Sequence, residues 1–195
     1  GCNNITSVTW GEGAHTVIVY VNDTFGNGNS SSVSFNVDSV TPAVSIISPS
    51  NNTNTTNNTL DVKYSVSDNN LGGCWYSDNG GSNTTLAGCA NITSVTWGEG
   101  EHTVVVYAND TFGNINTSSV SFNVDSVNPS IAIVSPTNNS YSGENTLNVT
   151  YVVSDNNLDS CWYNDNGGAN STLAGCSNIT SVTWGEGSHT VIVYA

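Results

Sequence analysis

The run Gly1-Cys2-Asn3-Asn4-Ile5-Thr6-Ser7-Val8-Thr9-Trp10-Gly11-Glu12-Gly13 returns nearly unchanged at 88–100 and again at 175–187, so the chain repeats with a fixed step of 87 residues. Trp10, Trp97 and Trp184 keep that step, as do Cys2, Cys89 and Cys176, and His15, His102 and His189. No insertion or deletion interrupts the register. A fixed period describes an array of like units. Each unit is large enough to bury a modest core of its own. Residues 1–38 read as the end of one unit, 39–125 as a whole one, and 126–195 as the start of a third that lacks its last 17 residues. A chain that starts and stops inside a unit reads as a window on a longer polymer, which points to a structural role.

Within a unit the signals are those of strands. Val44 to Ser48 ends at Pro49 and an Asn/Thr-rich loop. Leu60, Val62, Tyr64 and Val66 alternate with polar residues and share one face of a strand. Cys74 to Ser77 is a third strand, closed by the turn Asp78-Asn79-Gly80-Gly81, and Ile92 to Trp97 is a fourth. His102 to Ala108 is apolar on both faces, as a central strand should be, and Ser119 to Val124 alternates and ends the unit. No stretch carries sustained helical periodicity. Seven or so short strands with Gly, Asn and Pro turns predict an all-β fold, a β-sandwich repeated along the chain.

The five cysteines fit the same step. Cys74 and Cys89 are 15 apart, as are Cys161 and Cys176, while Cys2 matches Cys89 and Cys176 and has no counterpart of Cys74 before it. Bridges Cys74–Cys89 and Cys161–Cys176 are expected, with Cys2 left over. Zinc is the rival reading, but two cysteines and one nearby histidine per unit make a poor tetrahedral set. Disulfides imply an oxidising setting outside the cytoplasm.

Charge excludes several partners. There is one basic side chain, Lys63, against 15 acidic ones, and the net charge is −14. Phosphate backbones need Lys and Arg, so nucleic acid is excluded as a partner, and an anionic membrane surface is disfavoured on the same ground. No apolar run approaches the length of a membrane span, so no direct membrane insertion is expected from this segment. With only 8% charged residues, solubility has to come from Asn, Ser and Thr, or from something attached to them.

Fourteen asparagines fit Asn-x-Ser/Thr with x other than Pro: Asn4, Asn22, Asn29, Asn51, Asn54, Asn57, Asn83, Asn91, Asn109, Asn116, Asn138, Asn148, Asn170 and Asn178. With 31 Asn and 51 Ser plus Thr, chance would produce about 8 such sites, so composition explains much of the number but not all of it. Covalent N-linked glycans at these sites would form a hydrated coat and would blunt edge-to-edge strand pairing between chains.

The segment from Gly100 to Asn114, Gly-Glu-His-Thr-Val-Val-Val-Tyr-Ala-Asn-Asp-Thr-Phe-Gly-Asn, resembles the F-strand region of prokaryotic (bacterial and archaeal) immunoglobulin-like repeats of extracellular surface proteins. The junction Val124-Asp125 to Pro129, and Pro129 to Pro136 after it, also match that family's pattern. The resemblance covers every unit. It implies tandem immunoglobulin-like β-sandwich repeats in an adhesin stalk, a fibre or a similar surface protein. The cysteine pair departs from the antibody pattern, in which the bridge joins strands B and F.

No residue set reads as catalytic, and no enzymatic activity is expected. The three histidines each follow Gly-Glu-Gly at a strand entry, where a hydrogen bond that stabilises the turn is the expected role and pairing with a carboxylate the alternative. Carboxylates recur in register as Glu12/Glu99/Glu186, Asp23/Asp110, Asp38/Asp125, Asp68/Asp155 and Asp78/Asp165. Calcium at the unit junctions is the alternative there, since hard oxygens suit it. Turn chemistry accounts for Asp-Asn-Gly-Gly without a metal, so no metal or cofactor is expected. Trp75 and Trp162, each followed by Tyr, could stack on a sugar, but beside a disulfide in a core strand packing is the expected role. A lysine–asparagine isopeptide bond is excluded as a repeating device, because Lys63 is the only lysine and its counterpart is Thr150.

The expectation is therefore a structural unit of a heavily N-glycosylated extracellular fibre, pilus-like filament or cell-surface stalk. Its partners would be neighbouring identical repeats, each adding roughly 30–45 Å. A glycan- or host-binding adhesin module and the accessory repeats of a secreted enzyme are the alternatives.

Overall fold

The structure, a computed structural model, describes residues 2–195; Gly1, the first residue of the segment expected as 1–38, lies outside the described residues. Strand makes up 48% and helix 3%, so the chain is all-β. It divides into two compact units, Gly1–Ser126 and Val127–Ala195. Within the first unit, Asn70 and Asn114 donate their side-chain amides to the carboxylate and the backbone carbonyl of Asp38, at 2.8 and 2.9 Å.

Among the described residues the first unit holds nine strands: β1 (Gly13–Asn22), β2 (Gly28–Val37), β3 (Ala43–Ser48), β4 (Thr53–Thr55), β5 (Lys63–Ser67), β6 (Leu71–Asp78), β7 (Thr84–Leu86), β8 (Gly100–Asp110) and β9 (Ile115–Val124). They form two two-stranded sheets, β1–β2 and β3–β5, and a five-stranded sheet in the order β4-β9-β8-β6-β7. β8 lies between β9 and β6 in the sheet, with one face buried and the other half-buried to exposed. Val104, Val106 and Ala108 alternate into the core and are fully buried. Asp110 closes the β8–β9 hairpin by accepting the backbone N–H groups of Phe112 and Asn114, both at 2.9 Å. Gly113 between them has φ +97°, where a side chain would be strained.

The core of this unit joins Val62, Tyr64, Ile92, Trp97, Val104, Val106, Val120, Phe122 and Val124, with Val44, Ile46 and Val66 of the β3–β5 sheet packed against it. Trp97 anchors one end. Its indole N–H donates to the carbonyl of Leu60 at 2.7 Å, and its ring meets Phe122 edge-on at 5.2 Å. The expected strand Ile92 to Trp97 is not formed as such. Ile92 pairs with Val62 in an isolated bridge, and Ser94 then takes φ 60°, which breaks the ladder.

The β1–β2 ribbon repeats the sequence of β8–β9, but among the described residues no sheet lies against its apolar face. Val19 is 53% exposed where its counterpart Val106 is at 0%, and Trp10 is 37% exposed against 4% for Trp97.

In the second unit, β10 (Ser130–Ser135) pairs with β11 (Thr150–Ser154), and β12 (Cys161–Asp165) runs between β13 (Ser171–Leu173) and β14 (Val191–Tyr194). Its core gathers Val149, Tyr151, Cys161, Leu173 and Ile179, with Trp184 against them. The indole N–H of Trp184 donates to Leu147 at 2.6 Å, the bond of Trp97 shifted by one repeat.

Candidate functional site

Three kinds of site recur with the repeat: a junction clamp, a turn held by cystine and histidine, and an outer sheet face that carries aromatic rings and acceptor asparagines.

At the junction, Glu12 binds Ser39 through both carboxylate oxygens. Oε2 accepts the Ser39 backbone N–H at 3.0 Å and Oε1 accepts its hydroxyl. Glu99 holds Ser126 in the same way, with the backbone bond at 2.9 Å. The Ser39 hydroxyl and N–H hold the Glu12 carboxyl below its ordinary pKa. Asn116 donates to the carbonyl of Pro42 at 2.9 Å and, with Asn70 and Asn114, fixes 38–42 against the rest of the unit.

Cys74 pairs with Cys89 and Cys161 with Cys176, with Cα atoms 5.0 Å apart in both, and Cys2 is free and exposed. Each bridge ties a core strand to a single 3-10 turn, Ala87–Cys89 or Ala174–Cys176. Cys89 and Cys176 have φ of 52° and 53°, a costly region for a residue with a side chain.

His102 is buried, and both ring nitrogens face oxygen: Nδ1 meets Asp78 Oδ2 at 2.7 Å and Nε2 meets the Gly98 carbonyl at 2.9 Å. Burial opposes its charge, but the Gly98 carbonyl and the Asp78 carboxylate outweigh it and raise the pKa above the ordinary value. His189 makes the matching contacts with Asp165 (2.6 Å) and Gly185 (2.8 Å). The Gly185 carbonyl and then Asp165 raise its pKa as well. His15 meets Gly11 at 2.7 Å. The turn bond expected for the histidines is therefore present in all three, and the carboxylate pairing in two.

Of the carboxylates noted in register, Asp38, Asp68 and Asp110 come together, with ligand oxygens within 4.8 Å of one another. Asp110 is buried; burial works against its charge, but the Asn114 side chain and backbone, with the Phe112 N–H, bring its pKa below the ordinary value. Most of these oxygens already accept bonds: Asp38 from Asn70 and the Val40 N–H, Asp68 from the Asn70 N–H, and Asp110 from Asn114. Calcium takes 6–8 oxygens, and this cluster offers three carboxylates already engaged by amides.

The outer face of the five-stranded sheet differs from expectation. Cys74 and Tyr76 turn into the core, so Trp75 faces outward, half-buried, and stacks on Tyr107 at 5.6 Å with the rings 4° from parallel. Trp162 and Tyr194 stack likewise, at 5.7 Å and 9°. Sequence reasoning placed Trp75 in packing and missed Tyr107. The signal lay in alternation, since Tyr107 falls between the inward residues Val106 and Ala108.

Thirteen of the fourteen acceptor asparagines are exposed; Asn109 is half-buried. Several are oriented through their carbonyl oxygen, which leaves Nδ2, the atom a sugar would join, turned away. Asn91 Oδ1 accepts the Tyr64 N–H and Asn178 Oδ1 accepts the Tyr151 N–H, both at 3.0 Å. Asn51 does the same for Ser121 at 2.9 Å.

No protein-family model matches the chain. Over 97 residues it is 35% identical to Halomucin of Haloquadratum walsbyi (strain DSM 16790 / HBSQ001), a match that covers 47% of this chain and 1% of that protein. The chain thus spans a small part of the curated relative it matches.

Proposed function

We propose that this chain is a segment of an extracellular, N-glycosylated structural protein, a fibre or cell-surface stalk built from tandem immunoglobulin-like β-sandwich repeats. The observation that carries the reading is the return of the main holding interactions at the same step. The Cys74–Cys89 bridge, the Trp97–Leu60 bond and the His102–Asp78 pair reappear as Cys161–Cys176, Trp184–Leu147 and His189–Asp165. The Glu99–Ser126 clamp likewise repeats Glu12–Ser39. Such repetition fits a part whose job is to be the same at every position along an array. The sheet order β4-β9-β8-β6-β7, opposed by β3–β5, supports the immunoglobulin-like reading. The exposed acceptors, the cystines and the likeness to a protein named as a mucin support a glycosylated surface role.

The half-exposed Trp75–Tyr107 stack favours a second reading, a module that binds glycans of another molecule. Cryo-electron microscopy of the native surface material separates the two. A rod with a regular step of roughly 40 Å and branched density at the acceptor asparagines is expected. Isolated globules with bare asparagines would remove the structural reading.

A further inference from the structure

Thr85, the third residue of the acceptor triplet Asn83-Thr84-Thr85, is the register partner of Trp75 across β6 and β7. Directly paired residues of neighbouring strands share a face, so Thr85 and Trp75 lie on one side of the sheet, and Asn83 stands just before β7. Asn83 and Trp75 both line a shallow groove of about 490 Å³. Gly72 and Gly73, which carry no side chain, also line it. A Cβ on Gly72 would come within 2.8 Å of the Asp110 carbonyl oxygen. The groove size falls in the range of small-ligand sites.

The second unit repeats the arrangement by an independent contact. Thr172, third in Asn170-Ser171-Thr172, is the register partner of Trp162. There the Asn164 amide bridges the acceptor to the aromatic pair, donating to Asn170 Oδ1 at 3.1 Å and to the Tyr194 hydroxyl at 3.3 Å. Asn170 is thus held by its carbonyl oxygen beside the stack, with Nδ2 left for attachment.

We infer that the glycans attached at Asn83 and Asn170 fold back, so that the proximal sugar lies with its C–H face on the Trp75–Tyr107 and Trp162–Tyr194 stacks. The inference rests on the glycoprotein reading and adds a site to it. Attachment forms a bond from Nδ2 to the sugar's anomeric carbon and breaks that carbon's bond to the phosphate oxygen of an activated sugar donor. The phosphate leaves with the electron pair and the amide loses one proton. A pyranose ring presents one face of C–H groups, which packs on an aromatic face as other apolar groups do, while its hydroxyls stay in water. An aromatic pair that would otherwise stand half-exposed on the surface gains a cover, and the glycan gains a fixed direction.

The test is NMR of the natively glycosylated chain together with its Trp75→Ala and Trp162→Ala variants. Cross-relaxation between the proximal sugar and the Trp75 and Trp162 rings is expected, with sugar C–H resonances shifted upfield. Those resonances return to free-sugar positions in the alanine variants and recover in part in Trp75→Phe. The measurement on the unmutated chain decides the matter even if an alanine variant fails to fold. Sugars at Asn83 and Asn170 with unshifted resonances would overturn the inference and leave the glycoprotein reading in place, as would bare Asn83 and Asn170 beside occupied acceptors elsewhere. A chain bare at every acceptor would remove both. The glycan released from the protein, added back to an enzymatically stripped chain, tests the other source. Saturation transfer from Trp75 to that free glycan at micromolar concentration would overturn attachment as the cause and favour recognition of a separate glycan.

Discussion

Glu99 reaches Ser126, 27 residues further on, and engages its backbone N–H and its hydroxyl with separate carboxylate oxygens. Glu12 and Ser39 do the same one repeat earlier. This clamp fixes where one repeat ends. Hydrogen bonds to a charged group contribute about 1.5–3 kcal/mol each when shielded and less when exposed, as here. Glu99→Ala is therefore expected to lower the unfolding free energy of the first unit by about 1 kcal/mol. It should also speed proteolysis near Val127. Denaturant unfolding and limited digestion check this, and an unchanged cleavage rate would count against the clamp.

Closing a loop of about 15 residues by a disulfide contributes roughly 3 kcal/mol in the chain-entropy model. Replacing Cys74 and Cys89 together by alanine should lower the first unit's melting temperature by roughly 10–20 °C and leave the second unit near its own value. Differential scanning calorimetry of a chain with two resolved transitions reads this directly. A shift of both transitions together would show that the units do not unfold independently.

Stability should also depend on pH in a defined sense. His102 and His189 have raised pKa values in the folded chain, so their contribution is complete below about pH 6.5 and is lost as pH rises through the folded values. Glu12, Asp23 and Asp110 are lowered, so theirs is present above about pH 4.5 and is lost as pH falls. The midpoint of urea unfolding should peak between these limits and decline toward pH 8. His102→Gln with His189→Gln should flatten the alkaline limb and spare the acid one.

The carboxylates of Asp38, Asp68 and Asp110 are satisfied largely by Asn70 and Asn114. Chelation or millimolar calcium should move the melting temperature by less than about 1 °C, whereas Asn114→Ala should lower it by several degrees, because Asp110 Oδ2 and the Asp38 carbonyl lose their side-chain amide donor while the backbone N–H groups on Asp110 Oδ1 stay. A calcium-dependent rise of several degrees, by mass action on the folded form, would show that the three oxygens take up an ion instead.

Much of this was written in the sequence where side-chain alternation is strong. Ser119 to Val124 reads as a strand because one residue in two is apolar, and His102 to Ala108 because it is apolar on both faces; β8 extends the latter by two residues at each end and β9 the former by four at its start. The cystine pairs follow from a spacing repeated by the period. What did not show was made of polar residues. Thr53 to Thr55 forms a strand parallel to β9 with no apolar signal at all, its position fixed by Asn51 and Asn52 bonding Ser121. Ile92 to Trp97 has the composition of a strand and is broken by the backbone at Ser94. The outward stack of Trp75 on Tyr107 depends on which face each strand presents, and that follows only once Cys74 and Tyr76 are known to turn inward.

The central claim, a glycosylated structural repeat, is tested most directly by intact-glycopeptide mass spectrometry of the protein from its native source. Sugar-bearing peptides at most of the thirteen exposed acceptors, with Asn83 and Asn170 among them, are the result expected. Unmodified asparagine at all fourteen positions would contradict it.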